Sequence, residues 1–194
     1  MLYSVPAPSN VFCAYGWIII TQRVDASLSF NRTWSDYKLG FGSVTAAGNF
    51  WIGLEKFYQM TNSGSFRLRF LLRAAGDGNW YNADYDSIVV QSEVNKYKWH
   101  FGNYSGNAGD ALRYDTGQWN LQDMKFTTCD SWNDLAPSNC GCKWSNGWWM
   151  NYCYQTSLNG VYGTAGYEWC AKSQPAGFGS AGQLIASTMM IQRN

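Results

Sequence analysis

The stretch C-D-S-W-N-D-L-A-P-S-N-C-G-C-K-W-S-N-G-W-W-M-N-Y-C, Cys129 to Cys153, holds four of the six cysteines, two aspartates and four of the eleven tryptophans of the protein. A segment with few candidate core strands that carries so many costly residues either binds something or is braced. Its acidic oxygens are Asp130 and Asp134, its amides Asn133, Asn139 and Asn146, and its flat aromatic faces Trp132, Trp144, Trp148 and Trp149. Oxygen-rich acidic loops suit a hard cation such as calcium, and tryptophan faces suit sugars or methyl-bearing groups. The stretch contains no histidine and no serine in a nucleophile-elbow setting, so its chemistry is that of recognition rather than catalysis.

Working outward, the 194 residues make one large domain or two small ones with a substantial core. Hydrophobic residues reach 46%, yet mean hydropathy is only -0.33, because 18% of the sequence is aromatic and much of that is Tyr and Trp. Such residues bury a large apolar body and keep a polar tip that needs a partner. Charged residues are 14% against about a quarter in ordinary domains, and the net charge is +1. That balance argues against a nucleic-acid partner, which calls for a basic patch, and no apolar run is long enough for membrane insertion. The opening M-L-Y-S-V-P-A-P-S-N lacks the basic region and apolar core of a signal peptide and reads as the start of a mature fragment with an added or retained Met1.

Six cysteines, low charge and the sequons Asn31-Arg32-Thr33 and Asn103-Tyr104-Ser105 favour an oxidising, extracellular setting. Zinc at Cys129, Cys140, Cys142 and Cys153 is the competing account. Structural zinc sites space paired cysteines by two to four residues, however, and Cys140-Gly141-Cys142 has a single one between.

Along the sequence, Val11 to Thr21 reads as a strand broken at Gly16. Phe30, Trp34, Tyr37 and Phe41 recur at helical spacing and end in glycines, which predicts a short amphipathic helix within Ser29 to Gly42. Phe50 to Tyr58 fits a helix or a buried strand. Ser65 to Arg73 alternates polar and apolar cleanly for its first six residues, reads as the best strand, and leads into the turn Gly76-Asp77-Gly78-Asn79. Tyr81 to Val90 and Tyr97 to Phe101 read as antiparallel strands around a turn at Asn95-Lys96, with lone His100 as a structural residue. After Gly102 the sequence is loop-rich, and Gln183 to Gln192 reads as a closing strand. Asn103 to Asp110 lacks the ending of a phosphate loop. Long irregular segments in a compact domain are usually functional, which places the binding surface in the second half.

Six blocks then become specific: G-W-I-I-I-T-Q-R-V-D-A-S-L-S-F-N-R-T-W-S-D-Y-K-L-G-F-G from Gly16, G-N-F-W-I-G-L-E-K from Gly48, Y-S-G-N-A-G-D-A-L from Tyr104, N-C from Asn139, G-W-W-M-N-Y-C from Gly147 and S-L-N-G-V-Y from Ser157. In this order they resemble the fibrinogen C-terminal-like domain family, whose members include ficolins, tachylectins, angiopoietins, tenascins and the fibrinogen chains. The resemblance implies a secreted α+β recognition domain without enzyme activity. It implies one domain over 1–194, built on a twisted antiparallel sheet with short helices, and a loop-rich, disulfide-braced C-terminal half whose residues 103–182 form the binding subdomain.

The resemblance further implies a disulfide between Cys140 and Cys153. Cys13, Cys129, Cys142 and Cys170 then pair in any of three ways, with Cys129 to Cys142 preferred as an extra local brace. The family partner of Cys13 lies upstream, where this sequence has no cysteine, so the fragment is truncated or Cys13 has found another partner. The family's calcium loop maps onto Trp132, Asp134 and the carbonyls of Ala136 and Ser138, with Asp130 able to reach in. Trp132 stands where a carboxylate is expected, which weakens the site, and Asp134 alternatively caps a turn. The family's ligand pocket maps onto Trp144, the Tyr152-Cys153 peptide held in cis, Tyr154 in place of a histidine, and Tyr167 or Trp169 as a second wall. Trp148, Trp149 and Trp169 are otherwise expected in the core.

Two functions follow as expectations. One is lectin-like binding of glycans or acetylated groups, as in innate immunity; the other is a protein-binding adhesion or signalling ligand that has lost the sugar pocket and meets a cell-surface protein. Oligomerisation is expected through segments outside this sequence. An enzyme lacks any constellation of nucleophile, base and orienter here.

Overall fold

The computed structural model describes residues 11–153, 156–164, 166–179 and 182–194. Along them run β1 (Cys13–Ala14), β2 (Trp17–Arg23), α1 (Trp34–Leu39), β3 (Phe41–Gly42), β4 (Phe50–Trp51), α2 (Leu54–Thr61), β5 (Phe66–Ala74), β6 (Trp80–Tyr85), β7 (Ile88–Val90) and β8 (Trp99–Phe101). There follow β9 (Tyr104–Gly106), β10 (Phe126–Thr127), the one-turn α3 (Cys140–Lys143), β11 (Trp148–Trp149), β12 (Thr156–Ser157), β13 (Glu168–Trp169) and β14 (Leu184–Arg193).

The main sheet is antiparallel throughout, in the order β3-β4-β2-β14-β5-β6-β9, with β1 paired to the outer end of β2. The alternation of β5 explains its orientation. Phe66, Leu68, Phe70, Leu72 and Ala74 face the core, while Arg67 and Arg69 lie on the other face, over the ring of Trp17 at 5.1 and 4.6 Å. β14 comes last in sequence yet sits between β2 and β5. It is buried along most of its length, as its β-branched and methionine content requires.

The segment from Phe50 to Tyr58 resolves into both alternatives, β4 followed by α2. The helix within Ser29 to Gly42 is shorter than its periodicity suggests. Thr33 caps α1 in a capping box with Asp36, Gly40 ends it at φ 98°, and Phe30 and Phe41 reach the same core from outside the helix. β7 and β8 pair across the turn at Asn95-Lys96, where Lys96 and Tyr97 both have positive φ. His100 is exposed and contacts Asp123 and Gln122 through Nδ1.

One core cluster runs from Ile20 to Ile191 and draws on both halves of the sequence. Trp51, Trp99, Trp148, Trp149 and Trp169 are fully buried within it. Trp99 stacks on Trp149 with centroids 4.2 Å apart. Indole N–H groups of Trp51, Trp99, Trp149 and Trp169 donate to the backbone carbonyls of Tyr37, Leu121, Tyr97 and Gly109 at 2.7 to 3.0 Å. Each bond satisfies a carbonyl outside the strand ladders. The loop-rich half is thus held by tryptophans where a longer ladder would otherwise hold it.

Candidate functional site

The Cys129–Cys153 stretch forms a knot of two disulfides. Cys140–Cys153 and Cys129–Cys142 both span 13 residues, and both cysteines of the C-G-C motif lie in α3. Gly141 explains the single residue between them: a Cβ there would lie 2.6 Å from the carbonyl carbon of Thr128, so only glycine lets α3 press against the preceding loop. Asn139 caps α3 through Oδ1 to the Cys142 N–H at 3.1 Å, and its Nδ2 donates to the carbonyls of Thr128 and Cys129. Cys13 and Cys170 are free thiols, and burial pushes the Cys170 pKa up to about 12.

Asp134 is the hub of the loop between the disulfides. Its Oδ1 accepts the indole N–H of Trp132 at 3.0 Å and the Ala136 N–H at 3.2 Å. Its Oδ2 accepts the Cys140 N–H at 3.2 Å and the Thr127 hydroxyl at 3.1 Å. A calcium ion needs six to eight oxygen ligands turned towards it, but both oxygens of Asp134 are turned towards N–H donors. Asp130 does not reach in: its carboxylate accepts the Trp34 N–H at 2.9 Å, at the start of α1, and the Thr128 hydroxyl at 2.7 Å. Among the described residues no three His, Cys, Asp or Glu side chains gather for a metal. The residues present therefore do not fit the calcium site that Asp130, Asp134, Ala136 and Ser138 suggest in sequence. The Trp132 indole fills part of the role a cation would have, holding Asp134 from inside the loop.

Beside this loop lies an open groove of about 410 Å³, lined by Trp119, Ala136, Pro137, Ser138, Lys143, Tyr152 and Cys153. Of the residues expected around a pocket, the structure brings Ala136, Ser138, Tyr152 and Cys153 together here. Trp144 is turned inward, onto a small cavity it shares with Asn146, Met150 and Glu168. Tyr167 is 1% exposed and donates its hydroxyl to Ser187 Oγ at 2.8 Å, so it is a core residue and not a pocket wall; Trp169 is likewise fully buried. The Tyr152-Cys153 peptide is trans, and the turn is made by Cys153 at φ 72°. Tyr154 lies outside the described residues.

Trp119, Pro137 and Lys143 were not legible as site residues in the sequence. The one signal for Trp119 is an isolated indole in the polar run D-T-G-Q-W-N. Lys143 is the one charged group lining the groove among the described residues, with Nζ 5.5 Å from the Trp144 ring. The loop also exposes Trp132 at 52% and Leu135 at 63%, and Tyr152 is 42% exposed. Buried Glu168 has its carboxyl pKa pushed up to about 8 by desolvation, but it is enclosed rather than displayed.

Comparison with known proteins accords with this geometry. The protein is 44% identical over 172 residues to fibroleukin of Bos taurus, an alignment covering 83% of this sequence and 38% of that one, so it spans about two fifths of its relative's length. Its fold matches the fibrinogen-like globe domain of human ANGPTL2 at a TM-score of 0.78 and 34% identity, over 92% of this sequence and 81% of that one. It also matches the lamprey fibrin D-dimer complexed with the peptide Gly-His-Arg-Pro-amide, at a TM-score of 0.78 and 28% identity, over 91% and 61% of the two sequences. The family model of the fibrinogen beta and gamma chains' globular domain at their C-terminal end matches residues 5–177. The protein belongs to that family, and like its members it is a non-catalytic domain.

Proposed function

We propose that the protein is an extracellular protein-recognition module whose groove takes an apolar peptide segment bearing an acidic side chain. The observation that carries this is the groove itself. Its walls are aromatic and prolyl, its neighbouring loop displays Trp132 and Leu135, and its charged lining residue is Lys143. Exposed Trp and Tyr at a concave surface are the usual anchors of protein interfaces. The lamprey relative was solved with a peptide bound. That peptide is basic, whereas a groove lined by Lys143, with no carboxylate among its described residues, favours the opposite charge. An extracellular location is supported by the two disulfides and by the exposed sequon asparagines Asn31 and Asn103.

A glycan is the second reading, favoured by the aromatic faces of Trp119 and Tyr152 in one groove. In that reading acetylated sugars bind in a cation-independent way, because Asp130 and Asp134 are committed to N–H and hydroxyl donors. Two parallel assays separate the readings: peptide-display selection on the immobilised domain, and a glycan array with and without EDTA. The protein-binding function predicts selected peptides rich in apolar and acidic residues whose binding is lost in Tyr152→Ala and Lys143→Glu. Selective, saturable binding to acetylated glycans with no peptide enrichment would overturn it.

A further inference from the structure

At the C-terminal end of β2 the fold encloses a cation with no acid beside it among the described residues. Arg23 is 2% exposed. Its Nη1 donates to the backbone carbonyls of Leu158, at 3.3 Å, and Gly160. Its guanidinium is flanked by the rings of Phe30, Tyr167 and Tyr162 at 4.3, 4.7 and 5.7 Å. Nε is enclosed without a partner among the described residues. Among those residues, no carboxylate forms an ion pair with Arg23 and no acceptor takes Nη2. Carbonyl dipoles and ring faces offset part of the desolvation of this charge, and burial still pulls its pKa below the ordinary value.

A cavity of about 200 Å³ opens beside this guanidinium, with Arg23, Ser29, Asn31, Ser145, Val161 and Tyr162 on its walls. The described walls offer hydroxyl and amide groups and no acid, so their one formal charge is positive. With Nη1 occupied and Nε enclosed, Nη2 is the nitrogen that an incoming group meets. Nη2 carries two N–H donors and the positive charge of the guanidinium, so it suits a single charge-assisted hydrogen bond to a carboxylate oxygen. The flanking rings exclude water, which strengthens such a pair.

We propose that this cavity is a carboxylate-binding site for one acidic group of a peptide, with Arg23 as the ion-pair partner and the Ser29 and Ser145 hydroxyls as supporting donors. The site is separate from the groove, and it stands or falls independently of what the groove binds. A volume of this size admits a single acidic residue's carboxylate or a free C-terminus rather than a folded element.

The test is NMR titration of the 15N-labelled domain, following the Arg23 Nε–H and the Ser145 and Val161 amides. The probes are acetate, N-acetylglutamic acid amide to represent a glutamate within a peptide, N-acetylglycine for a C-terminus, and acetamide as the uncharged isostere. Saturable shifts with the carboxylates and none with acetamide are expected, and the tighter of the two peptide-like probes identifies the source. Val161→Trp adds bulk to the cavity wall while leaving Arg23 in place, and should weaken binding about tenfold or more. Arg23→Lys should do the same where the variant folds. An equal response to acetamide, no saturable shift with any carboxylate, or unchanged affinity in Val161→Trp would overturn the proposal.

Discussion

Trp132 shows how one substitution of residue type can change what a loop does without changing its path. Where the family's loop would offer an aspartate, the indole donates its N–H to Asp134, so one side of the carboxylate is satisfied from within the loop. The domain should therefore have the same Tm in excess calcium as in EDTA, read by calorimetry, and an EDTA-induced drop would refute the assignment. Trp132→Phe keeps the ring and deletes the donor, and should cost about 1 kcal/mol, the typical worth of one such bond. Glu168 supplies a second residue-scale test. Burial holds its carboxyl protonated to about pH 8, whereas the unfolded state releases that proton near 4.5. Between those values the unfolded state binds fewer protons, so the contribution of Glu168 to stability falls as pH rises through the window, and that contribution is level on either side. Glu168→Gln should flatten the profile of Tm against pH there; a slope that persists would place its cause elsewhere. The density of Asp, Trp and Cys in the Cys129–Cys153 stretch was plain in the sequence. The direction in which Asp130 faces was not, because its partner is the Trp34 N–H, 96 residues away.

Among the elements, α1 is the most legible and the most exposed to a single change. Its capping box joins Thr33 and Asp36 in both directions, and Asp130 covers the next free N–H. Thr33→Ala should cost about 1 kcal/mol in urea unfolding of unglycosylated protein, while Thr33→Ser, which preserves both cap and sequon, should be close to neutral. The periodicity of Phe30, Trp34, Tyr37 and Phe41 overstated the helix, because residues on either side of six helical positions can fill the same core. β5 was readable from its alternation, since one face meets the core and the other meets solvent and Trp17. β14 was readable as a strand but not as the central one, because strand order depends on pairings between distant segments.

At the scale of the whole molecule, a sheet built on the longer strands β2, β5, β6 and β14 is joined to loop-rich segments that have few ladder bonds and compensate with buried indoles and two cross-links. Closing a 13-residue loop constrains the unfolded state by about 3 kcal/mol per disulfide in the loop-entropy model. The Cys140→Ser, Cys153→Ser double variant should lose about that much in denaturant unfolding, and should also lose groove ligands, because Cys153 forms part of the groove wall. A variant of normal stability would show that the tryptophan core alone holds these segments.

By itself the sequence determined the fold class and the family: alternation in β5, the spacing in α1 and the ordered motif blocks are local patterns, each written in a few consecutive residues. Tertiary structure alone decided which aromatic residues are core and which are surface, sending Tyr167 and Trp169 inward and leaving Trp132 and Tyr152 outside. It also decided that Asp134 serves N–H donors, that Trp119 and Lys143 meet Tyr152 across one groove, and that Arg23 is enclosed without an acid among the described residues. The physical reason is that burial and hydrogen-bond partners are properties of segments brought together from far apart, and residue type alone does not specify which segment arrives.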